Sequence, residues 1–314
     1  MPTPLDPRAQ TWLARFRALR VDQDSGKGSA PHKPLLLLAV LDLFEAGGLR
    51  DGTLVRSPEL VVRFQNLWPL VAARRGNKGD IRMPFHALSN DRVWSVFDAE
   101  GRPSRARETS QVAQLHPDFL ACLPDPRFRS ALRRQLVTTY FPAAEQVALF
   151  AALGTGDEPA EAASPGVAHA AEDPAVYRTA RQLGRSARFK TAVVSGYRFT
   201  CALTGYRLTT ADQLGIVEAA HIHAFSRSRD NAPDNGLALT PTAHVLFDLG
   251  LWSVSDDLRV LVKPASSFHE ETAPGGFSLR TLAGAPLTLP SGAPLRPRRE
   301  NLAWHRREHG FPQG

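Results

Sequence analysis

The sequence predicts an α+β protein of two domains, and three observations predict it. Helix-like and strand-like periodicities follow one another irregularly, without the steady strand–helix alternation that builds a parallel sheet. Residues 153–173, LGTGDEPAEAASPGVAHAAED, are rich in Ala, Gly, Pro and acids and contain no Lys or Arg. Such a segment cannot bury enough apolar surface to offset its ordering entropy, so it reads as a linker. With 314 residues and 43% hydrophobic content, the chain is long enough for two separate cores. The division expected is therefore residues 1–152, a linker at 153–173, and residues 174–314.

In the first, mixed α/β domain, LDPRAQTWLARFRALRV spaces Trp12, Leu13, Phe16 and Leu19 at helical intervals. PHKPLLLLAVLDLFEAGG has Pro34 near a helix start, an apolar body and a Gly47-Gly48 stop, the pattern of a buried helix. SPELVVRFQNLWPLV predicts a third helix, with Ser57 as N-cap, Pro58 at the first position and Glu59 in the first turn. RVWSVFDAEG alternates like a strand entering a turn, and PRFRSALRRQLVTTYF is again helical. The second domain opens with a basic helix, AVYRTARQLGRSARFKTAVVSGY. Short strands and a hairpin are expected across FTCALTGYRL and IVEAAHIHAF. A loop through Asn235, a helix around PTAHVLFDLG and a last hairpin, LWSVSDDLRVLV, should follow.

Charge and cysteine content narrow the function. Lys plus Arg number 38 against 31 Asp plus Glu, a net +7 with a sequence pI near 9.9. Outside the linker, residues 1–152 hold 21 basic and 15 acidic side chains and residues 174–314 hold 17 and 11, so each part is +6. Two basic domains suit one polyanionic partner. Two cysteines, Cys122 and Cys201, supply neither a disulfide framework nor a four-cysteine zinc site. The first twenty residues carry charges throughout and lack an apolar signal region, and the longest apolar run, PLLLLAVLDLF, is interrupted by Asp42. A soluble cytoplasmic protein is the expectation.

The densest chemistry lies in VEAAHIHAF, APDNGLALT and TAHVLFDLG. On a strand, His221 and His223 would project to the same side, with Ala220 and Ile222 opposite. His244 and Asp248 are four apart and share a helix face. An imidazole and a carboxylate one turn apart can bind a divalent ion and leave positions for phosphate oxygens and water. A strand histidine beside them can act as general base on that water. The order H-x13-N-x8-H-x3-D, from His221 through Asn235 and His244 to Asp248, resembles the HNH nuclease motif on its ββα-metal finger. More specifically it is similar to the AAHI…NGLAL…H..FD.G version found in McrA-like type IV restriction enzymes, and the resemblance spans roughly residues 176–312.

That resemblance implies that His221 activates water, Asn235 orients the loop and the base, and His244 binds the metal with Asp248 in the second helical ligand position. Many relatives carry Asp or His just before the base; here that residue is Ala220, leaving Glu218, His223 or water to complete the shell. Many also hold structural zinc on two CxxC pairs, whereas here Thr204 stands where the partner of Cys201 would be. The implied cofactor is Mg²⁺ or Mn²⁺, with no structural zinc and Cys201 as a small core residue.

Two places in the first domain are chemically unusual. GSAPHKPLLLL puts His32 and Lys33 at a helix start, where backbone N–H groups favour an anion. RRGNKGDIRMPFHALSNDR joins Arg74, Arg75, Lys78, Arg82 and Arg92 to an apolar MPFHAL element. From residues alone, a packed segment with a solvated arginine face is the slightly favoured reading of the second place. HKPLLLL followed by MPFHAL, across roughly residues 10–150, resembles the sulfur-binding domain fused to HNH nucleases that recognise phosphorothioated DNA. In that family a His-basic pair and an aromatic-Pro-x-x-Ala element surround the backbone sulfur; the matching positions are His32, Lys33, Pro84 and Ala87, with Met83 in the aromatic place.

The function implied is a modification-dependent endonuclease acting on double-stranded, phosphorothioated DNA, as a homodimer if both strands are cut. Two alternatives stay open: an HNH nuclease that reads a modified base such as 5-methylcytosine, and a non-catalytic DNA-binding protein with a relic finger.

Overall fold

The structure, a computed structural model, describes residues 5–24, 28–49, 51–72, 79–155, 174–210, 212 and 215–312. It divides into two compact units, Met1–Arg188 and Phe189–Gly314. The expected linker lies outside the described residues except for Leu153, Gly154 and Thr155.

The first unit is built around α2 (His32–Glu45), whose residues from Leu35 to Leu41 are all buried. A helix this apolar all round must sit in a core. It packs against α3 (Pro58–Leu67), α4 (Arg82–Ala87) and α6 (Pro126–Tyr140), while α1 (Pro7–Arg17) packs on α6 and on α5 (Pro117–Cys122). The predicted punctuation works as expected. Ser57 Oγ accepts from the Leu60 N–H at 3.4 Å, and Gly47 takes a φ of +73° as Gly48 N–H reaches back to Leu43 O at 2.9 Å. That 6→1 bond satisfies a terminal carbonyl of α2, and it needs a residue free to adopt the left-handed turn. Asp42, the one acid in the apolar run, reaches Arg63 of α3 at 2.7 Å.

A three-stranded antiparallel sheet, ordered β3-β5-β4 (Thr53–Val55, Val112–Leu115, Trp94–Phe97), completes this unit. Its register pairs Leu54 with Ala113 and Ala113 with Val96, and these three side chains are buried. The remaining elements are a two-residue hairpin, β1 (Gln23–Asp24) with β2 (Gly28–Ser29), and α7 (Ala143–Ala152). The long basic helix, α8 (Pro174–Gly196), contains the dividing point between the units, with Phe189, Val193 and Val194 buried in the second.

In the second unit β6 (Glu218–His221) and β7 (Gly236–Leu239) pair antiparallel, and the helix called α10 below, Pro241–Asp248, packs against both. The short α9 (Phe225–Ser228) lies between the two strands in sequence. β8 (Trp252–Val254) and β9 (Val260–Val262) form the last hairpin, on which α11 (Arg299–Glu308) packs through β8. Two expectations are corrected. FTCALTGYRL forms a turn closed by the single bridge Thr200–Arg207 instead of two strands. Strand β6 ends at His221, so His223 lies in the bend beyond it and the two rings do not share a strand face. Among the described residues, no helix is long and apolar enough to cross a membrane.

Candidate active site

Pairing across β6 and β7 sets Glu218 opposite Leu239 and His221 opposite Gly236. Leu237, Ala238 and Leu239 are fully buried, so β7 is the apolar floor and β6 carries the polar groups. Pro241 starts α10 directly after β7, its fixed φ suiting a first helical position. Trp252 Nε1 donates to Ala243 O at 3.0 Å and so ties that helix to β8.

Three predicted side chains meet at the open end of this finger. Glu218 Oε1 lies 2.8 Å from His244 Nδ1, and Asp248 Oδ2 lies 3.5 Å from His244 Nε2. The carboxylate of Glu218 can only accept, so Nδ1 carries the proton and the Nε2 lone pair points toward Asp248. This is the arrangement by which a carboxylate orients a metal-ligating histidine from behind. Two donor atoms 3.5 Å apart fit one small cation that keeps waters or phosphate oxygens in its remaining positions. They do not fit a closed four-ligand site. Among the described residues no group of three or more His, Cys, Asp or Glu side chains is arranged to hold a metal ion. Cys201 is fully buried, with its sulfur accepting from the Thr240 N–H.

His221 lies at the end of β6 with its ring stacked on Phe189, centroids 4.0 Å apart, and tilted against Phe225 at 5.6 Å. Its Nε2 is 2.9 Å from Asn231 Oδ1. Burial lowers its pKa below the usual imidazole value; the Asn231 bond and Asp230 oppose this, and neighbouring His244 and Lys190 add to it. His221 and His244 thus share one electrostatic neighbourhood, and His221 is neutral at pH 7. Gly236 explains the close ring stack. A Cβ there would meet Val193 Cγ2 at 2.4 Å and Phe189 Cε2 at 2.9 Å, so only glycine lets α8 bring Phe189 against the histidine.

Asn235 is fully buried and braces the loop between the strands. Its Oδ1 accepts from the His223 N–H at 2.8 Å, and its Nδ2 donates to His223 O at 3.0 Å and Asp230 O at 3.1 Å. Arg298 adds a second brace through Asp234 and Asp230. His223 stacks on Trp304 at 4.0 Å, which takes it away from the metal-ligand role offered as one option. Sequence spacing pointed to none of Phe189, Asn231, Arg298 and Trp304. Asn231 lies ten residues beyond His221 inside the loop, and Trp304 reaches the site from α11.

In the first unit, α2 and α4 pack together, so the two elements singled out fifty residues apart are neighbours. The His32 ring lies 4.7 Å from that of Trp68. A Cβ at Gly79 would strike the same indole at 2.5 Å, so the chain returns to α4 flat across Trp68. Met83 and Ala87 are half-buried one turn apart on α4; Pro84 and Phe85 are buried. The cations behave differently from the expectation. Lys33 Nζ is held by Asp91 at 2.6 Å and by Arg20 O at 2.7 Å, and Arg82 is bonded to Asp80 through its backbone N–H and its guanidinium. Burial pushes the Asp80 carboxyl up, but the Arg82 hydrogen bonds outweigh it and bring its pKa below the usual range. Arg74, Arg75 and Lys78 lie outside the described residues.

A ββα finger carrying a His/Asp pair is the fold expected of an HNH nuclease domain, and comparison with known families agrees. Residues 201–255 match the HNH endonuclease family, and residues 9–158 match the ScoMcrA-like DNA sulfur-binding domain. The chain therefore joins an HNH endonuclease domain and a ScoMcrA-like DNA sulfur-binding domain in one polypeptide. A solved structure described as a modification dependent TagI restriction endonuclease is 19% identical over 40% of this chain, with a TM-score of 0.29. The match spans 38% of that protein. No curated protein matches the chain.

Proposed function

We propose that the protein is a modification-dependent endodeoxyribonuclease: residues 1–152 recognise phosphorothioated DNA, and residues 174–314 hydrolyse a nearby phosphodiester bond. The observation that carries the catalytic half is the pair His244 Nε2 and Asp248 Oδ2, 3.5 Å apart and backed by Glu218, on the finger whose first strand ends at His221.

His244 and Asp248 would hold the divalent cation, Mg²⁺ or Mn²⁺, which supplies charge stabilisation at the scissile phosphate and its leaving oxygen. Glu218 keeps His244 in the tautomer that presents Nε2. His221, neutral through burial, takes the proton from the attacking water. Asn235 and Arg298 hold the loop that carries the surroundings of that base in one geometry. The finger reads no sequence, so selection falls to the first domain. There His32, Met83 and Ala87 offer ring and methyl surface to a sulfur that is larger and less hydrated than oxygen, and Pro84 belongs to the same α4 element. One such contact is worth about 1–3 kcal/mol, the scale of a single apolar difference. Arg74, Arg75, Lys78 and Arg82 belong to this proposal as phosphate-positioning groups, Lys33 as the anchor of the α2 start. A homodimer in the cytoplasm, one finger per strand, completes the reading.

Two duplexes identical except for one backbone sulfur test it. Wild-type protein with Mn²⁺ or Mg²⁺ should bind and cut the sulfur-bearing duplex and leave its partner intact. Equal cutting of both removes the phosphorothioate reading, and cutting of methylated but not sulfur-bearing DNA replaces it with the base-modification reading.

A further inference from the structure

Resting on the reading of His221 as the general base, we infer that Asn231 selects its tautomer: the proton stays on Nε2 and Nδ1 is the nitrogen that accepts the proton of water. A neutral imidazole has one N–H and one lone pair, and the partner of one nitrogen decides the job of the other. The atom facing Nε2 at 2.9 Å is the carboxamide oxygen of Asn231, which only accepts, so Nε2 bears the hydrogen. Among the described residues no group bonds Nδ1. The ring cannot turn over easily, because Phe189 stacks on one face at 4.0 Å and 9° and Phe225 flanks it at 5.6 Å.

Asn231 is itself held from both sides. Asp230 before it gives its carbonyl to Asn235 Nδ2 and its carboxylate to Arg298 and to the Ala232 N–H. The Asp230 carboxylate is thereby turned to other partners, and an uncharged amide faces the ring. This chemistry suits a base. A carboxylate on Nε2 would stabilise the imidazolium and raise the pKa, whereas an amide fixes the tautomer without adding charge, and burial then keeps the ring neutral. In the step that follows, the water O–H bond breaks toward Nδ1 while its oxygen bonds to phosphorus. The leaving P–O bond breaks, and the departing alkoxide takes a proton from solvent. Asn231 is a positioning residue here and touches no reacting atom. It lies outside the H-N-H-D pattern, four residues before Asn235.

The test uses the full chain labelled with ¹⁵N-histidine at pH 8, with the His221 signals assigned by their loss in His221→Ala. Two-bond correlations should show a protonated Nε2 and an unprotonated Nδ1. In Asn231→Ala a second population protonated at Nδ1 should appear, with kcat down about 10- to 100-fold and KM nearly unchanged. In Asn231→Asp the single Nε2–H form should return, with the acid limb of the rate profile moved to higher pH. Protonation at Nδ1 in the wild type overturns the inference, as does an unchanged single Nε2–H form in Asn231→Ala. If the wild type shows the Nε2–H signature but cuts no DNA, the endonuclease reading falls while the tautomer assignment stands.

Discussion

The two clusters that the sequence singled out differ in what their polar groups bond to. At the HNH finger, His244 turns Nε2 toward Asp248 and the outside, and His221 keeps Nδ1 without a bond among the described residues. At the α2–α4 contact, Lys33 and Arg82 end on the acids Asp91 and Asp80. The first region keeps unsatisfied valence at its surface, and the second neutralises the cations nearest its motif. A net +6 in each domain therefore does not translate into the same kind of contact surface. Among the described residues at that contact, the His32 ring and the half-buried Met83 and Ala87 lie beside cations that are already paired.

That difference can be broken or sharpened by mutation and pH. The largest effect expected is from His244→Ala, which removes the helix-borne donor. Cleavage should fall about a thousandfold with DNA affinity retained, and a loss below tenfold would mean the ion is held elsewhere.

Acid comes next, through a third histidine. His305 is buried, stacks on Phe247 at 3.7 Å and bonds Ser253 Oγ at 2.9 Å; burial lowers its pKa to about 3. Because the folded value is depressed, the unfolded chain takes up a proton below about 6.5 that the folded unit refuses. The stabilisation is complete above that pH and is lost as pH falls toward 3. Urea unfolding of the second unit should weaken by roughly 3 kcal/mol between pH 7 and pH 4, and His305→Leu should flatten that slope.

Lys33→Ala should cost about 2 kcal/mol of stability by leaving Asp91, whose side chain is 9% exposed, without its cation. The salt dependence of DNA binding should stay the same; a slope lower by about one would make Lys33 a phosphate contact after all. The smallest effect is expected from Met83→Ala, about three- to tenfold in the preference for sulfur over oxygen, with binding to unmodified DNA unchanged.

Much of this was legible because it is local. Helix caps at Ser57 and Pro58, the Gly47-Gly48 stop and the His244/Asp248 helix face follow from spacing alone, and each is present. β3 and β5 were not read, because Thr53–Val55 and Val112–Leu115 are too short to show a period and are defined by pairing across about sixty residues. Lys33 meets Asp91 across fifty-eight positions, so its pairing carried no sequence signal. At the site, the motif picked out His221, Asn235, His244 and Asp248 but not what holds them. Phe189, Asn231 and Arg298 become neighbours of the His221 loop only after α8, β6 and the approach to α11 have packed.

The most direct measurement compares wild type with His221→Ala on one sulfur-bearing duplex in Mn²⁺, recording cleavage and binding together. The wild type should cut, and the variant should bind equally well while cutting at least about a thousandfold more slowly. Normal cutting by His221→Ala would contradict the site as described, because water would then be activated without the imidazole at the end of β6.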